Sequence, residues 1–228
     1  MLLSVIIPVY NEEKTIESVI KKIREVDLSD GLHKQIIIVD DASKDATPFI
    51  LEKYKTSSDI KIFTHTKNSG KTAALVRGLQ EASGDILLIQ DADLEYPPSA
   101  FPSLLDPILK GETDIVYGSR FMGSFDGMTT VNCLSNRFSN ITFNFLYGQK
   151  LTDINTCYKV FKRGVLNGIE IRSQHFAFET EITAKFVRKG HKILEIPIPY
   201  QARTNSQGKK MNWLAAIHMY WGIFRYRF

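Results

Sequence analysis

Ile86-Leu87-Leu88-Ile89-Gln90-Asp91-Ala92-Asp93-Leu94-Glu95 is an aliphatic run that ends in carboxylates at alternate positions. The run reads as a β-strand, and alternation would aim Asp91, Asp93 and Glu95 the same way where the strand ends. Carboxylates gathered like this repel one another and lose hydration, so they need a cation. A hard divalent ion, Mg²⁺ or Mn²⁺, meets that need, because it takes oxygen ligands and shares its shell with water and substrate phosphates. Asp91, Asp93 and Glu95 are therefore the expected metal ligands, in a site that serves a diphosphate. A solvated acidic turn closing a strand is the plainer alternative, and the surrounding sequence has to decide.

Outward from this strand, which is expected over 85–89, residues 4–9, 35–39, 60–64 and 114–117 are further β-branched or aliphatic runs. Helical periodicity fills most of the gaps between them. That order predicts an α/β fold, a doubly wound, Rossmann-like, mostly parallel sheet flanked by helices. Ile16, Val19, Ile20 and Ile23 repeat at helical spacing, with Asn11 as the expected cap and Glu12 and Glu13 at the positive end. Thr47 as cap with Pro48 at the first position marks a second helix, and 71–82 a third. Each strand then feeds a loop at one sheet edge, where ligands bind in such folds. Beyond Arg120 the regularity weakens: 121–130 is rich in Gly and Thr, a helix is expected over 134–147, and the C-terminal half is expected to be mixed.

With 228 residues, 43% hydrophobic and 24% charged, the chain suits one soluble domain with a full core. Lys and Arg exceed Asp and Glu by only 29 to 25, so no nucleic-acid partner is expected. Cys133 and Cys157 lie far apart, and Met1 leads at once into strand-like sequence, which points to a cytoplasmic setting. No apolar run reaches the roughly 20 residues that span a bilayer.

The loop Pro8-Val-Tyr-Asn-Glu12 lacks the Gly-x-Gly-x-x-Gly of dinucleotide sites, which argues against a nicotinamide or flavin enzyme. Tyr10 can stack on a base and Glu12 can accept from a base or ribose, although strand termination and the helix dipole are sufficient reasons for both. In Asp40-Asp41-Ala-Ser-Lys-Asp45, Asp40 is the expected ligand contact and Asp45 a turn residue. Asn68-Ser-Gly-Lys-Thr72 imitates the end of a phosphate-binding P-loop, but the glycine required five residues before Gly70 is His65. A P-loop NTPase thus stays as an alternative, and Lys71 can still meet a phosphate at a helix N-terminus. Arg120, Arg137, Arg203, Lys209 and Lys210 supply cations for phosphate oxygens. Asp153, Glu179 and Glu181 are candidate general bases, or partners of arginines. The histidines have no zinc-ligand spacing.

The chain resembles the inverting family-two glycosyltransferases of GT-A fold, and among them the dolichyl- or polyprenyl-phosphate mannose and glucose synthases. The resemblance runs along nearly the whole chain. It rests on Val5-Ile-Ile-Pro-Val-Tyr-Asn-Glu12, Ile38-Val-Asp-Asp-Ala-Ser-Lys-Asp-Ala-Thr47, Asn68-Ser-Gly-Lys71, Asp91-Ala-Asp93, Gly118-Ser-Arg120, and Glu195-Ile-Pro-Ile-Pro199 before Arg203. It implies that Pro8, Tyr10, Glu12, Asp40, Lys71, Asp91, Ala92, Arg120 and Arg203 bind the nucleotide sugar. Asp93, Arg120 and Asp153 would be catalytic, with Arg137, Arg203 and Lys209 on the acceptor phosphate. Residues 1–120 would form a nucleotide-sugar-binding half and 121–210 an acceptor-binding half of one domain, with 211–228 an amphipathic terminal helix. Glu95-Tyr96, Thr156-Cys-Tyr-Lys159 and Ser206-Gln-Gly-Lys-Lys210 depart from the mannose-synthase pattern. GDP-mannose and UDP-glucose both remain candidate donors.

The implied reaction is metal-dependent, inverting hexosyl transfer to a polyprenyl or dolichyl phosphate. A sugar-hydroxyl acceptor and a non-catalytic nucleotide-sugar sensor are the alternatives. Trp213, Ile217, Tyr220, Trp221, Phe224 and Phe228 share one helical face near Arg225 and Arg227, so peripheral contact with the cytoplasmic face of a membrane is expected there.

Overall fold

The computed structural model describes residues 1–29, 31–173, 177–203 and 220–227. Apolar strands β1 (Leu2–Val9), β2 (His33–Asp40), β3 (Ile60–Thr64) and β4 (Ile86–Ile89) lie parallel in the order β3-β2-β1-β4. Helix α1 (Ile16–Glu25) follows β1, and its predicted apolar stripe, Ile16, Val19, Ile20 and Ile23, is fully buried. Helices α2 (Thr47–Glu52) and α3 (Lys71–Glu81) link the next strands. Gly78 lets α3 lie close on the sheet, since a Cβ there would sit 2.4 Å from Ile6 Cγ2. Helix α4 (Phe101–Leu109) leads into β5 (Ile115–Ser119).

The sheet then departs from the simple winding. Strand β7 (Lys159–Lys162) inserts antiparallel between β4 and β5, and β8 (Leu194–Pro197) closes the edge parallel to β5. The short pair β6 (Phe125–Asp126) and β9 (Tyr200–Gln201) makes a separate ribbon. Helix α6 (Phe178–Arg188) precedes β8. The C-terminal half is mixed, as expected.

Two caps differ from the sequence reading. Asn11 does not cap α1, which starts after Thr15. It sits at φ 53°, a left-handed position that asparagine tolerates, and its Oδ1 accepts the Lys44 N–H at 2.7 Å. Thr47 is the first residue of α2 rather than its cap, and its Oγ1 accepts the Glu12 N–H at 2.9 Å. Both side chains tie the β1 loop to the β2 loop.

Helix α5 (Thr130–Tyr147) begins four residues before the expected start, capped by Thr129, and its polarity is inverted. It buries Asn136, Ser139 and Asn140 with Phe143, and exposes Val131, Leu134, Phe138, Ile141 and Phe145. The inner amides have work to do. Asn144 exchanges hydrogen bonds with the Leu151 N–H and C=O at 2.9 and 2.8 Å, and Asn140 Oδ1 accepts the Ile154 N–H at 3.0 Å.

Candidate active site

Because β1, β2 and β4 run parallel, their C-terminal ends open on one side, and a cavity of about 440 Å³ lies there. Pro8 near the end of β1, Tyr10 and Glu12 after it, Lys71 at the start of α3, and Asp91, Ala92, Asp93 and Glu95 after β4 all line it. Arg120, after β5, and Arg203, after β9, close the far side.

The acids of the opening motif do not converge. The strand ends at Ile89, so the chain turns before the alternation can operate, and each carboxylate takes its own partner. Asp91 Oδ1 meets Lys71 Nζ at 2.8 Å, and the same ammonium meets Glu179 Oε1 at 3.0 Å. Burial alone would lower the lysine pKa, but Asp91 and Glu179 outweigh it and hold Lys71 charged. Asp93 Oδ2 lies 3.6 Å from Arg203 Nη2, which pairs with Glu12 Oε2 at 2.9 Å. Glu95 instead accepts the Tyr200 O–H and the Arg203 N–H, both at 2.7 Å. These two bonds strap the β9 segment over the cavity, so Glu95, unlike Asp91 and Asp93, is engaged away from any cation.

Among the described residues no three His, Cys, Asp or Glu side chains are gathered to cage an ion. Asp91 and Asp93 nevertheless fit Mg²⁺ or Mn²⁺, which need only one or two protein carboxylates when a diphosphate completes the shell. Both sit on the cavity wall and both already face a cation.

Asp40 and Asp41 divide differently from the expectation. Asp40 Oδ1 accepts the Ser43 N–H at 3.0 Å, and Asp40 is absent from the cavity lining, whereas Asp41 is part of it. Asp41 also takes the Ser69 and Gly70 N–H groups at 2.8 and 2.7 Å and His65 Nδ1 at 2.8 Å. The amides that a P-loop would turn on a phosphate are thus spent on a carboxylate, which removes that alternative.

Asp153 is fully buried behind Arg120 rather than in the cavity wall. Arg120 donates to it from Nε at 2.7 Å, Nη2 at 2.8 Å and its backbone N–H at 3.1 Å. Glu195 in turn accepts the Thr152 and Asp153 N–H groups at 2.7 and 2.9 Å. Burial would lower the Arg120 pKa, but Asp153 reverses this and keeps the guanidinium charged. Asp153 thus fixes the Arg120 side chain, and Glu195 fixes the backbone of Asp153. Arg137 is exposed, with its guanidinium 5.9 Å from the Phe121 ring centroid, and does not line the cavity. Lys209 lies outside the described residues.

Several wall residues carried no assigned role in the sequence: Tyr96, Asn132, Asn136, Asn155, Cys157 and Tyr200. Tyr200, directly after Glu195-Ile-Pro-Ile-Pro199, and Tyr96 and Cys157, inside segments that depart from the mannose-synthase pattern, had a local signal, whereas the asparagines had none. Cys157 is a buried free thiol whose pKa burial pushes well up, so it is unreactive wall.

Residues 4–169 match the profile of Glycosyl transferase family 2. The dolichol-phosphate mannosyltransferase of Pyrococcus furiosus is 31% identical over 214 residues, covering 92% of this chain and 59% of the relative. The dodecaprenyl-phosphate galacturonate synthase of Rhizobium johnstonii is 25% identical over 209 residues, covering 91% and 61%. The chain thus spans about three fifths of the length of these relatives. Among solved structures, glucosyl-3-phosphoglycerate synthase from Mycobacterium tuberculosis, crystallised with Mn²⁺, UDP and glucosyl-3-phosphoglycerate, superposes with a TM-score of 0.76. That match has 22% identity and covers 99% of this chain and 79% of the other. The shared fold is GT-A, and the chain belongs to glycosyl transferase family 2.

Proposed function

We propose that this chain transfers a hexose, with inversion, from a nucleoside-diphosphate sugar to a polyprenyl phosphate, with GDP-mannose and UDP-glucose as candidate donors. One observation carries the reading: a single cavity sets Asp91 and Asp93 among Lys71, Arg120 and Arg203. Mg²⁺ or Mn²⁺ held by Asp91 and Asp93 would neutralise the leaving diphosphate. Lys71 and Arg203 then face phosphate oxygens, and Arg120, fixed by Asp153, presents positive charge from the opposite wall. The position of Asp153 favours a phosphate acceptor over a hydroxyl. A phosphomonoester is largely dianionic at neutral pH and attacks without a base, and Asp153, with both oxygens on Arg120, is not placed to be one.

The test is nucleoside diphosphate release by the purified protein with each donor. Release that requires both polyprenyl phosphate and a divalent ion is expected. Tight donor binding with no release under any acceptor would make the chain a sensor and refute the proposal.

A second observation supports peripheral contact with a bilayer. No described helix is long and apolar enough to cross a membrane, but α5 turns its apolar residues outward at spacings of three and four, with Phe145 86% exposed. It carries no acid, and Arg137 stands beside Phe138. Trp213, Ile217 and Phe228 of the expected terminal-helix face lie outside the described residues, and the rest of that face is split. Tyr220 stacks on Phe138 with centroids 5.2 Å apart, while Trp221 and Phe224 stay exposed. Arg227 binds the Leu146 carbonyl at 2.7 Å, which places a cation at the end of the ridge. An apolar ridge with cations and no carboxylates matches an anionic lipid surface. It also suits the acceptor, because Asn132 and Asn136 on the same helix line the cavity.

The triple variant Phe138→Glu, Ile141→Glu, Phe145→Glu should bind vesicles containing phosphatidylglycerol on the order of 100-fold more weakly than wild type. Phe49→Glu, on exposed α2, should bind normally. Equal vesicle binding by the triple variant refutes the contact, and so does a wild-type dimer that this variant dissociates without any vesicle binding.

A further inference from the structure

The amides on the cavity wall form a chain whose direction is set by its first link. Asn136 Nδ2 donates to the Asn132 carbonyl at 2.8 Å, a contact that only an N–H can make. Asn136 Oδ1 therefore faces Asn155, whose Nδ2 donates to it at 3.1 Å, with Arg120 Nη2 at 3.5 Å on the same oxygen. What is left over is Asn155 Oδ1. It is buried without a hydrogen-bond partner, on a residue that lines the cavity. A buried acceptor without a donor costs about 1–3 kcal/mol, and because Asn155 lines the cavity, a group that binds there with a donor would relieve that cost.

The chemistry of that donor is narrow. Dianionic phosphate has only acceptor oxygens and would be repelled, which leaves an O–H or N–H group. The sheet order decides between them. Pro8 lies near the end of β1, Tyr10 and Asp41 follow β1 and β2, the acids follow β4, and Asn155 and Arg120 lie across them, just before β7 and just after β5. A diphosphate at Asp91 and Asp93 with its base toward β1 and β2 puts its sugar toward β7. We propose that Asn155 Oδ1 accepts a hydrogen bond from a hydroxyl of the transferred hexose and so selects the donor sugar, an assignment that rests on the transfer reading above. Asn136 and Asn132 are positioning residues here, since they orient the amide and touch no sugar in this scheme.

The experiment measures kcat/KM for the intact donor and its 2-, 3-, 4- and 6-deoxy forms in wild type and in Asn155→Leu. Nucleoside diphosphate affinity and melting temperature are followed in parallel. Wild type should reject one deoxy donor on the order of 100-fold, because its absence leaves Asn155 unpaired. Asn155→Leu should use the intact donor on the order of 100-fold less well, treat that deoxy donor within about threefold of it, and bind nucleoside diphosphate as wild type does. Should Asn155→Leu not fold, Asn155→Ala removes the same oxygen without adding bulk and is read the same way. Wild-type turnover that is equal on every deoxy donor, or a variant that keeps the wild-type discrimination, overturns the assignment alone. Absence of turnover on any intact donor refutes the transfer reading beneath it.

Discussion

Asp153→Asn is expected to lower stability by about 3–5 kcal/mol and to reduce turnover with it. Asp153 is fully buried and Arg120 only 7% exposed, so loss of the carboxylate charge leaves a guanidinium out of water without its counter-ion. The geometry leaves little room for adjustment. Three N–H groups of Arg120 converge on the two oxygens, and Glu195 holds the backbone of Asp153 from behind. A urea titration measures the stability change. A general base would behave differently: its removal leaves stability unchanged and alters only the acid limb of the pH–rate profile. The double variant Arg120→Met, Asp153→Leu separates the roles further. It should recover most of the stability, since a buried pair can be replaced by apolar groups of similar size at little cost, yet stay inactive for want of the Arg120 charge. An Asp153→Asn protein with wild-type stability would sink the positioning role.

Asp93→Asn is expected to cost on the order of 100- to 1,000-fold in turnover and to raise the Mn²⁺ concentration needed for half-maximal rate. Glu95→Gln provides the contrast. Both Glu95 oxygens are taken by the Tyr200 hydroxyl and the Arg203 amide, so the variant should lower the melting temperature and loosen the strap while its half-saturating Mn²⁺ concentration stays within about threefold of wild type. Asparagine at position 93 keeps the shape but halves the anionic charge shared by Asp91 and Asp93, which is what a hard cation senses. Rates measured across a Mn²⁺ titration, starting from chelator-treated protein, decide the matter. A Glu95→Gln variant that needs as much extra metal as Asp93→Asn would restore the three-carboxylate site.

Strands β1 to β5 and α1 were legible because burial writes itself into the chain as periodicity. Ile16, Val19, Ile20 and Ile23 could only face one core, and the parallel order of β1, β2 and β4 made the cavity edge predictable. Strand β7 escaped this reading. Lys159-Val-Phe-Lys162 opens with a lysine that is fully buried, its ammonium on the carbonyls of Ile154 and Thr156 and 4.2 Å from the centre of the Tyr117 ring. Burial lowers the Lys159 pKa to about 8. Nothing local announces such a residue as interior. Helix α5 misleads in the opposite sense, since its polar face is the inner one, with Asn140 and Asn144 satisfied by backbone groups of 151–154 that no window around α5 contains.

By itself the sequence determined β1 to β5 and α1 to α3, that their acidic and basic loops share one sheet edge, and that a hard cation and a diphosphate suit the residues there. These follow from hydrophobic period and from the chemistry of side chains, both of which are local. Only the tertiary structure decided what each charge does. A carboxylate takes the nearest cation or N–H that the fold brings within about 3 Å, and those partners come from far along the chain: Arg203 for Glu12, Glu179 beside Lys71, Tyr200 for Glu95. Asp91-Ala92-Asp93-Leu94-Glu95 therefore resolves into two carboxylates fit for a metal and one strap, a division set by the turn after Ile89 and by a segment more than a hundred residues away.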